Sequence, residues 1–201
     1  MTVQDATPVA ETLPTSKALK QATQDAHEKV DAAMMALSPF ADLEGYRRYL
    51  GVQYRFHRAA APLYRHPDLQ AWLPELAGRC RYADVIADCR DLGLDIAALA
   101  SLPDAALTSV AVPYEALGWL YTTEGSNLGA AILYKLANGL GLTASHGARH
   151  LAERGDGRAR YWREFVAQLD AIALTDAQRE QVLSGGRNAF AHVQALATTS
   201  R

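Results

Sequence analysis

The feature that constrains the fold most is a long apolar run, ALGWLYTTEGSNLGAAILYKLANGLGL, at residues 116–142. Its length and apolar spacing are typical of a buried helix, and Pro113 is well placed to begin it near the first turn. Glycine inside a helix costs about 1 kcal/mol relative to alanine. Because the run contains Gly118, Gly125 and Gly129, we expect these positions to serve something that needs the missing side chains.

Apolar residues recur at helical spacing along the rest of the chain too, with no convincing alternating strand of useful length. Thr15 or Ser16 is expected to cap the first helix, and Ser38 with Pro39 is expected to end it. Further helices are predicted at about 42–64, 81–92, 159–171 and 176–196, with a short helix or turn at 69–76 and a polar connection around Pro103. The sequence therefore predicts an all-α fold.

Length and charge favour one domain without a nucleic-acid partner. The 201 residues, 49% of them hydrophobic, suffice for one substantial core. We expect residues 1–14 to be a mobile leader and residues 15–201 to form the domain. The formal net charge of -2 provides no general basic field of the kind that nucleic-acid binding uses.

The sequence also predicts a cytoplasmic protein. The N-terminus has no early basic cluster and no apolar core of a signal peptide. The apolar run carries Glu124 and Lys135, which a membrane span would tolerate poorly. Cys80 and Cys89 lack the spacing of a redox or zinc motif, and they are expected to be ordinary thiols.

His27 belongs to the first predicted helix and shares a face with Lys20, two turns earlier, and Asp31, one turn later. Lys20 lies about 10 Å from His27 along the helix axis. Neutral imidazole is a good iron ligand, and an ammonium group at that distance suits a carboxylate on the edge of a flat ligand; haem has this layout. Asp31 would orient the other ring nitrogen. The spacing alone favours a half-exposed surface histidine beside a solvated charge, and it leaves the haem ligand open as the alternative.

The glycines of the apolar run form a stripe. On a helical wheel Gly118, Thr122, Gly125 and Gly129 fall within one narrow arc. A tightly crossing helix would explain the stripe, and so would a flat ligand that lies against the backbone. Small polar groups beside the stripe, such as Ser126 and Thr122, are expected to hold ordered water.

The remaining histidines give weaker signals. His146 and His150 are four residues apart, but no carboxylate lies at metal-site spacing beside them, so we do not expect a second metal site. His57 is expected on a helix face. His192 lies on the last predicted helix.

The chain resembles the bacterial haem oxygenases, especially their proteobacterial branch. The resemblance rests on LKQATQDAHEKVD around His27, on ALGWLYTTEGSNLGAAILYKLA, and on GARHLA followed by YWREFVAQLD. It covers about residues 16–195. It implies an all-α fold in which haem lies between a proximal helix with His27, the axial iron ligand, and a kinked distal helix with Gly125 and Gly129. The implied reaction is oxidative opening of haem to biliverdin, with release of ferrous iron and carbon monoxide, using O2 and external electrons.

The resemblance also implies roles for three residues at the edge of the haem. Lys20 and Tyr121 occupy positions where alpha-cleaving bacterial members place a lysine and a tyrosine on a propionate. A delta-selective relative has asparagine and phenylalanine at these two positions. We therefore predict cleavage at the alpha-meso carbon. Phe190, in the run NAF, is a candidate wall of the haem pocket.

Several alternatives and partners follow from the resemblance. A non-catalytic haem carrier on the same fold is the main alternative, and a non-haem enzyme of the thiaminase-like kind would require an active-site cysteine with carboxylates in the core. A ferredoxin or a flavoprotein reductase is the expected electron donor, and a bacteriophytochrome is a possible acceptor of the product.

Overall fold

The computed structural model describes residues 13–103, 113–155 and 157–200. Within these ranges the chain is helical, and its only β-type pairings are isolated bridges from Thr143 to His146 and Gly147. The helices are α1 (Thr15–Met35), α2 (Leu43–Ala60), α3 (Pro67–Trp72), α4 (Leu76–Arg79), α5 (Tyr82–Asp91), α6 (Ile96–Ser101), α7 (Pro113–Asn138), α8 (Arg158–Asp170) and α9 (Asp176–Thr199), with 3-10 segments at Ala61–Arg65 and Arg149–Leu151. The all-α prediction is confirmed. Most of the predicted leader and most of the polar connection after Pro103 lie outside the described residues.

The start of α1 differs from the prediction, because neither Thr15 nor Ser16 caps it. The helix begins after Pro14 without a side-chain cap. The backbone N–H and the hydroxyl of Ser16 instead each donate, at 2.7 Å, to the carboxylate of Asp170 at the end of α8. A carboxylate from a distant part of the chain thus satisfies a free N–H group in the first turn and complements the helix dipole.

Helices α2 and α6 each begin at a side-chain cap from the preceding residue. Asp42 caps α2 by accepting from the N–H of Gly45 at 2.7 Å, and Asp95 caps α6 by accepting from the N–H of Ala98 at 3.0 Å. Helix α6 was not predicted, since six residues are too few to display a helical period. Gly93, at φ 69°, follows α5 where the predicted helix ends.

Helix α9 lies at the centre of the bundle and packs along both α1 and α7. It approaches α7 very closely at Gly118: a Cβ on that glycine would lie 2.1 Å from the carbonyl oxygen of Val182 and 2.3 Å from the amide nitrogen of Gly186. Gly186 also packs against the side chain of Leu19 on α1. Backbone contact at glycines therefore sets the spacing of α7 and α9, and Gly186 leaves room for the side chain of Leu19 on α1.

The chain after α7 is held against α5 by Asp88, which is completely buried. Its carboxylate accepts hydrogen bonds from the backbone N–H groups of Arg149 and His150, from the guanidinium of Arg149 at 3.0 Å and from Nδ1 of His150 at 2.8 Å. Burial opposes the ionisation of Asp88, but these hydrogen bonds lower its pKa below the usual value. His150 is thus held by a carboxylate inside the core.

Candidate functional site

His27 lies on the outer side of α1, and its side chain is 61% exposed. Its Nδ1 lies 3.1 Å from a carboxylate oxygen of Asp31 one turn later. The imidazole ring packs against Phe190 of α9, with 5.6 Å between ring centroids. The carboxylate and the phenyl ring fix the orientation of the imidazole, and Nε2 is left as the nitrogen that can bind a metal.

One face of α7 presents backbone and apolar side chains to the outside. Gly125, Gly129 and Ile132 lie on this face at helical spacing. Among the described residues, a Cβ at Gly129 would meet no atom within 4 Å, and a Cβ at Gly125 would meet only the ring of Trp162, at 3.5 Å. Ile132 is 70% exposed, and Leu128 and Leu136 on the same face are also exposed. An apolar surface of this kind is typical of a binding site.

The glycines of the predicted stripe have different surroundings in the structure. Gly118 lies at the crossing of α7 with α9. In the part of the chain that the structure describes, Gly129 faces open space and Gly125 faces the ring of Trp162. No atom of α1 lies within 4 Å of the Cβ positions of these last two glycines. The crossing-helix interpretation is therefore confirmed at Gly118, whereas the flat-ligand interpretation stays a prediction for Gly125 and Gly129.

The two residues proposed to anchor a ligand lie on different helices. Lys20 is exposed on α1, two turns before His27. Tyr121 is half-buried on α7, and its ring packs against Trp162 with 5.2 Å between centroids. Burial and the neighbouring carboxylate of Asp170 raise the pKa of Tyr121. Its phenol therefore remains protonated at neutral pH and can donate a hydrogen bond to an anion.

The small polar residues of α7 bond back to their own helix. The hydroxyl of Ser126 donates to the carbonyl of Thr123 at 2.7 Å, and that of Thr122 donates to the carbonyl of Gly118 at 3.2 Å. Each hydroxyl oxygen keeps lone pairs that can accept from water. Helix α7 is continuous over Pro113–Asn138. Side-chain hydroxyls that donate to a carbonyl of the preceding turn favour bending of a helix.

A buried ionic group on the other side of α7 was missed by sequence analysis. Glu124 is 4% exposed, accepts from the hydroxyl of Tyr64 at 2.8 Å and forms an ion pair with Arg79 at 3.3 Å. Burial raises the pKa of Glu124. A carboxylate inside an apolar run was a signal that a cation must lie nearby, but the sequence does not indicate which arginine that is.

His57 belongs to the same buried polar region and is only 4% exposed, although we expected it on a helix face. Burial lowers its pKa to about 3, and the neighbouring His150 and Arg81 contribute. The imidazole is therefore neutral at physiological pH. No group of three or more His, Cys, Asp or Glu side chains in the described residues could hold a metal ion.

The pKa of His57 predicts a pH dependence of stability. Below the ordinary histidine pKa of about 6.5, the unfolded chain binds a proton that the folded chain rejects, so the free energy of unfolding falls by about 1.4 kcal/mol per pH unit. This loss continues as the pH approaches about 3. Between pH 7 and pH 5 we expect His57 to account for a loss of about 2 kcal/mol.

Urea unfolding of the wild type and of His57→Gln at both pH values measures this loss. The variant should show the smaller decrease on acidification. His66→Gln, at an exposed position, is the matched control and should behave like the wild type. Equal decreases in the wild type and His57→Gln would contradict the assignment.

The cysteines offer no activated thiol. Cys89 is buried, and burial, followed by the charge of Asp88, raises its pKa to about 12. Burial also raises the pKa of Cys80. Neither thiol is suited to the nucleophilic chemistry that a thiaminase-like enzyme requires.

The site as a whole fits a planar apolar ligand that carries a metal. It offers an oriented imidazole with a free nitrogen, a phenyl ring beside it, and on a neighbouring helix an open surface of backbone and aliphatic side chains. A helical bundle with these features fits the class of proteins that bind haem.

Comparisons with known proteins agree with this class. The family model described as Heme oxygenase matches residues 13–198. The chain is 39% identical over 175 residues to the heme oxygenase PigA of Pseudomonas aeruginosa, covering 87% of each chain. It is similar to the structure of the NO- and CO-bound heme oxygenase of Neisseria meningitidis, with 38% identity, a TM-score of 0.86, and coverage of 94% of this chain and 92% of that one. Heme oxygenase 2 of Chlamydomonas reinhardtii, at 21% identity and a TM-score of 0.81, shares the fold; that comparison covers 94% of this chain and 98% of that one.

The chain belongs to the haem oxygenase family and is an enzyme of haem degradation. The predicted family is thereby confirmed. Among the described residues, no helix is both long and apolar enough to cross a membrane.

Proposed function

We propose that the chain binds haem between α1 and α7 and opens the macrocycle at the alpha-meso carbon, giving biliverdin IX-alpha, Fe2+ and carbon monoxide. O2 and electrons from an external donor are consumed. The observation that carries the proposal is the oriented, exposed imidazole of His27, on a helix that leaves open space before Gly125 and Gly129. Bound haem supplies the iron that activates oxygen, and it is also the molecule that is oxidised.

The residues of α1 and α9 hold the proximal side in this proposal. Nε2 of His27 binds the iron, and Asp31 accepts from the other ring nitrogen, an arrangement that raises the basicity of the ligand. Phe190 supports the imidazole through ring contact and extends the apolar wall. The ligand is a neutral imidazole rather than a thiolate, so it does not push electron density toward O–O cleavage.

The distal side is formed by backbone. Gly125 and Gly129 leave room for a diatomic molecule and provide no acidic side chain that would protonate it prematurely. Ser126 supports an ordered water, because its hydroxyl proton is directed to Thr123 and its lone pairs remain free to accept. Protons then reach the reacting centre through water.

The regiochemistry depends on how haem is rotated in the pocket, and the proposed anchors are Lys20 and Tyr121. An ammonium group and a protonated phenol both donate to a propionate. We expect the wild type to give predominantly biliverdin IX-alpha. The double variant Lys20→Asn, Tyr121→Phe should give a mixture of isomers while still binding haem.

Chromatography of the products against the four biliverdin isomers measures this selectivity. Lys17→Asn, at another exposed lysine of α1, is the matched control and should keep the alpha selectivity. Predominant beta or delta product from the wild type would overturn the assignment of the anchors.

The catalytic proposal is tested by absorbance. Haemin added to the protein should give a histidine-ligated Soret band. Ascorbate in air, or ferredoxin with its reductase, should then bleach that band while biliverdin absorption rises. A Soret band that persists under reductant and air would favour a haem carrier instead.

The remaining partners are proposed on charge and chemistry. A ferredoxin or a flavoprotein reductase supplies the electrons, and the exposed lysines Lys17, Lys20 and Lys29 of α1 suit an acidic donor. A bacteriophytochrome is the proposed acceptor of biliverdin, and the cytoplasm is the proposed location.

A further inference from the structure

A small cavity lies beside α7, next to the open glycine face. It is lined by Arg79, Arg81, Glu124, Asn127, Leu128, Arg154, Arg158, Tyr161 and Trp162. The space open to the centre of a water-sized sphere is about 20 Å³. This is enough for one body slightly larger than a water molecule, and it is too little for phosphate or an organic acid.

Positive charge predominates around this cavity. Four guanidinium groups line it, and in the described residues the carboxylates that pair with them are Glu124, which binds Arg79, and Asp84, which binds Arg154 and Arg81. Arg158 uses its guanidinium on the carbonyls of Asn127 and Leu151. Carbonyls satisfy donors but do not neutralise charge, so the four guanidinium groups and these two carboxylates, as far as the described residues show, leave an excess of two positive charges.

Arg81 is the group that most requires a partner. It is 7% exposed, and its Nη1 is buried without any hydrogen-bond acceptor among the described residues. The carboxylate of Asp84 is 3.6 Å from this nitrogen, an ion-pair distance, and it is also bound by Arg154. Burial lowers the pKa of Arg81, the nearby positive charges of Arg154 and Arg158 add to this effect, and the carboxylate of Asp84 opposes it only in part. A buried charged donor that lacks an acceptor is costly, and an anion would satisfy it.

We propose that this cavity binds a single chloride ion, or another small halide, against Arg81. The ion accepts from Nη1 of Arg81 and offsets the excess positive charge beside the distal helix. The site shares Trp162 with the open face of α7, since the indole ring both lines the cavity and contacts Gly125. The proposal does not depend on haem binding.

Bromide provides a direct probe. Crystals of the full chain grown in sodium bromide should show an anomalous peak in the cavity at hydrogen-bond distance from Arg81. In solution, the melting temperature in sodium chloride should exceed that in sodium gluconate at equal ionic strength by about 2 to 4 °C, and the difference should saturate.

Variants assign the effect to the cavity. Arg81→Gln should remove the difference between chloride and gluconate, whereas Arg90→Gln, at an exposed position on α5, should retain it. If Arg81→Gln does not fold, Arg158→Gln should reduce the difference between chloride and gluconate instead, and the wild-type crystals should still show the bromide peak. A water molecule in place of bromide in the cavity of crystals grown in sodium bromide would overturn the proposal. A bromide peak without any chloride effect in solution, meaning an adventitious ion only, would overturn it equally.

Discussion

Replacing His27 with alanine should remove the histidine-ligated Soret band and stop biliverdin formation. The variant lacks the proposed iron ligand, so we expect the dissociation constant for haemin to rise by at least about tenfold, or 1.4 kcal/mol. His57 and His150 cannot replace the ligand, because both are buried in the core. Haemin titration followed by absorbance measures the loss.

Two further measurements separate ligation from misfolding. Added imidazole should enter the space left by the missing side chain and restore the Soret band of His27→Ala. His66→Ala changes an exposed residue immediately before α3. This variant should bind and degrade haemin like the wild type. Unchanged turnover by His27→Ala would eliminate this histidine as the ligand.

The second large effect is expected from a matched pair of glycine substitutions on α7. In Gly118→Ala the new methyl group would lie 2.1 Å from the carbonyl oxygen of Val182. Because that atom belongs to the backbone, α7 and α9 must move apart, and we expect a loss of about 3 to 5 kcal/mol in the free energy of unfolding.

Gly129→Ala should behave in the opposite way. Its methyl group meets no atom of the described residues within 4 Å, so the variant should be as stable as the wild type or more stable by up to about 1 kcal/mol. The same methyl group would occupy the proposed oxygen-binding space, and haem turnover should fall severalfold. Urea unfolding of the haem-free variants and turnover assays together measure both effects. Gly118→Ala with wild-type stability, or Gly129→Ala with wild-type turnover, would contradict this division of the stripe.

The glycines illustrate what a sequence can specify. The helical period places Gly118, Gly125 and Gly129 in one arc, because angle around a helix follows from residue spacing. It does not reveal where along the axis another helix crosses. That point depends on Gly185 and Gly186, which lie more than fifty residues further along the chain.

The polar residues show the same limit. His27 and Asp31 are one helical turn apart, so their contact could be predicted from spacing. The distance from Nδ1 of His27 to the carboxylate of Asp31 is 3.1 Å. The partners of Ser16, Glu124 and His57 come from distant parts of the chain. The burial of these three residues and the pKa shifts of Glu124 and His57 therefore follow from tertiary packing alone. Local pattern predicted the helices, whereas the arrangement of buried charge required the structure.

The central claim is that haem lies between α1 and α7, with one protein ligand on its iron. A crystal structure of the haemin complex tests it most directly. The account predicts a bond from iron to Nε2 of His27, with Gly125 and Gly129 on the opposite face of the ring and no side chain between them and the iron. Iron bound by another residue, or haem seated away from these glycines, would contradict it.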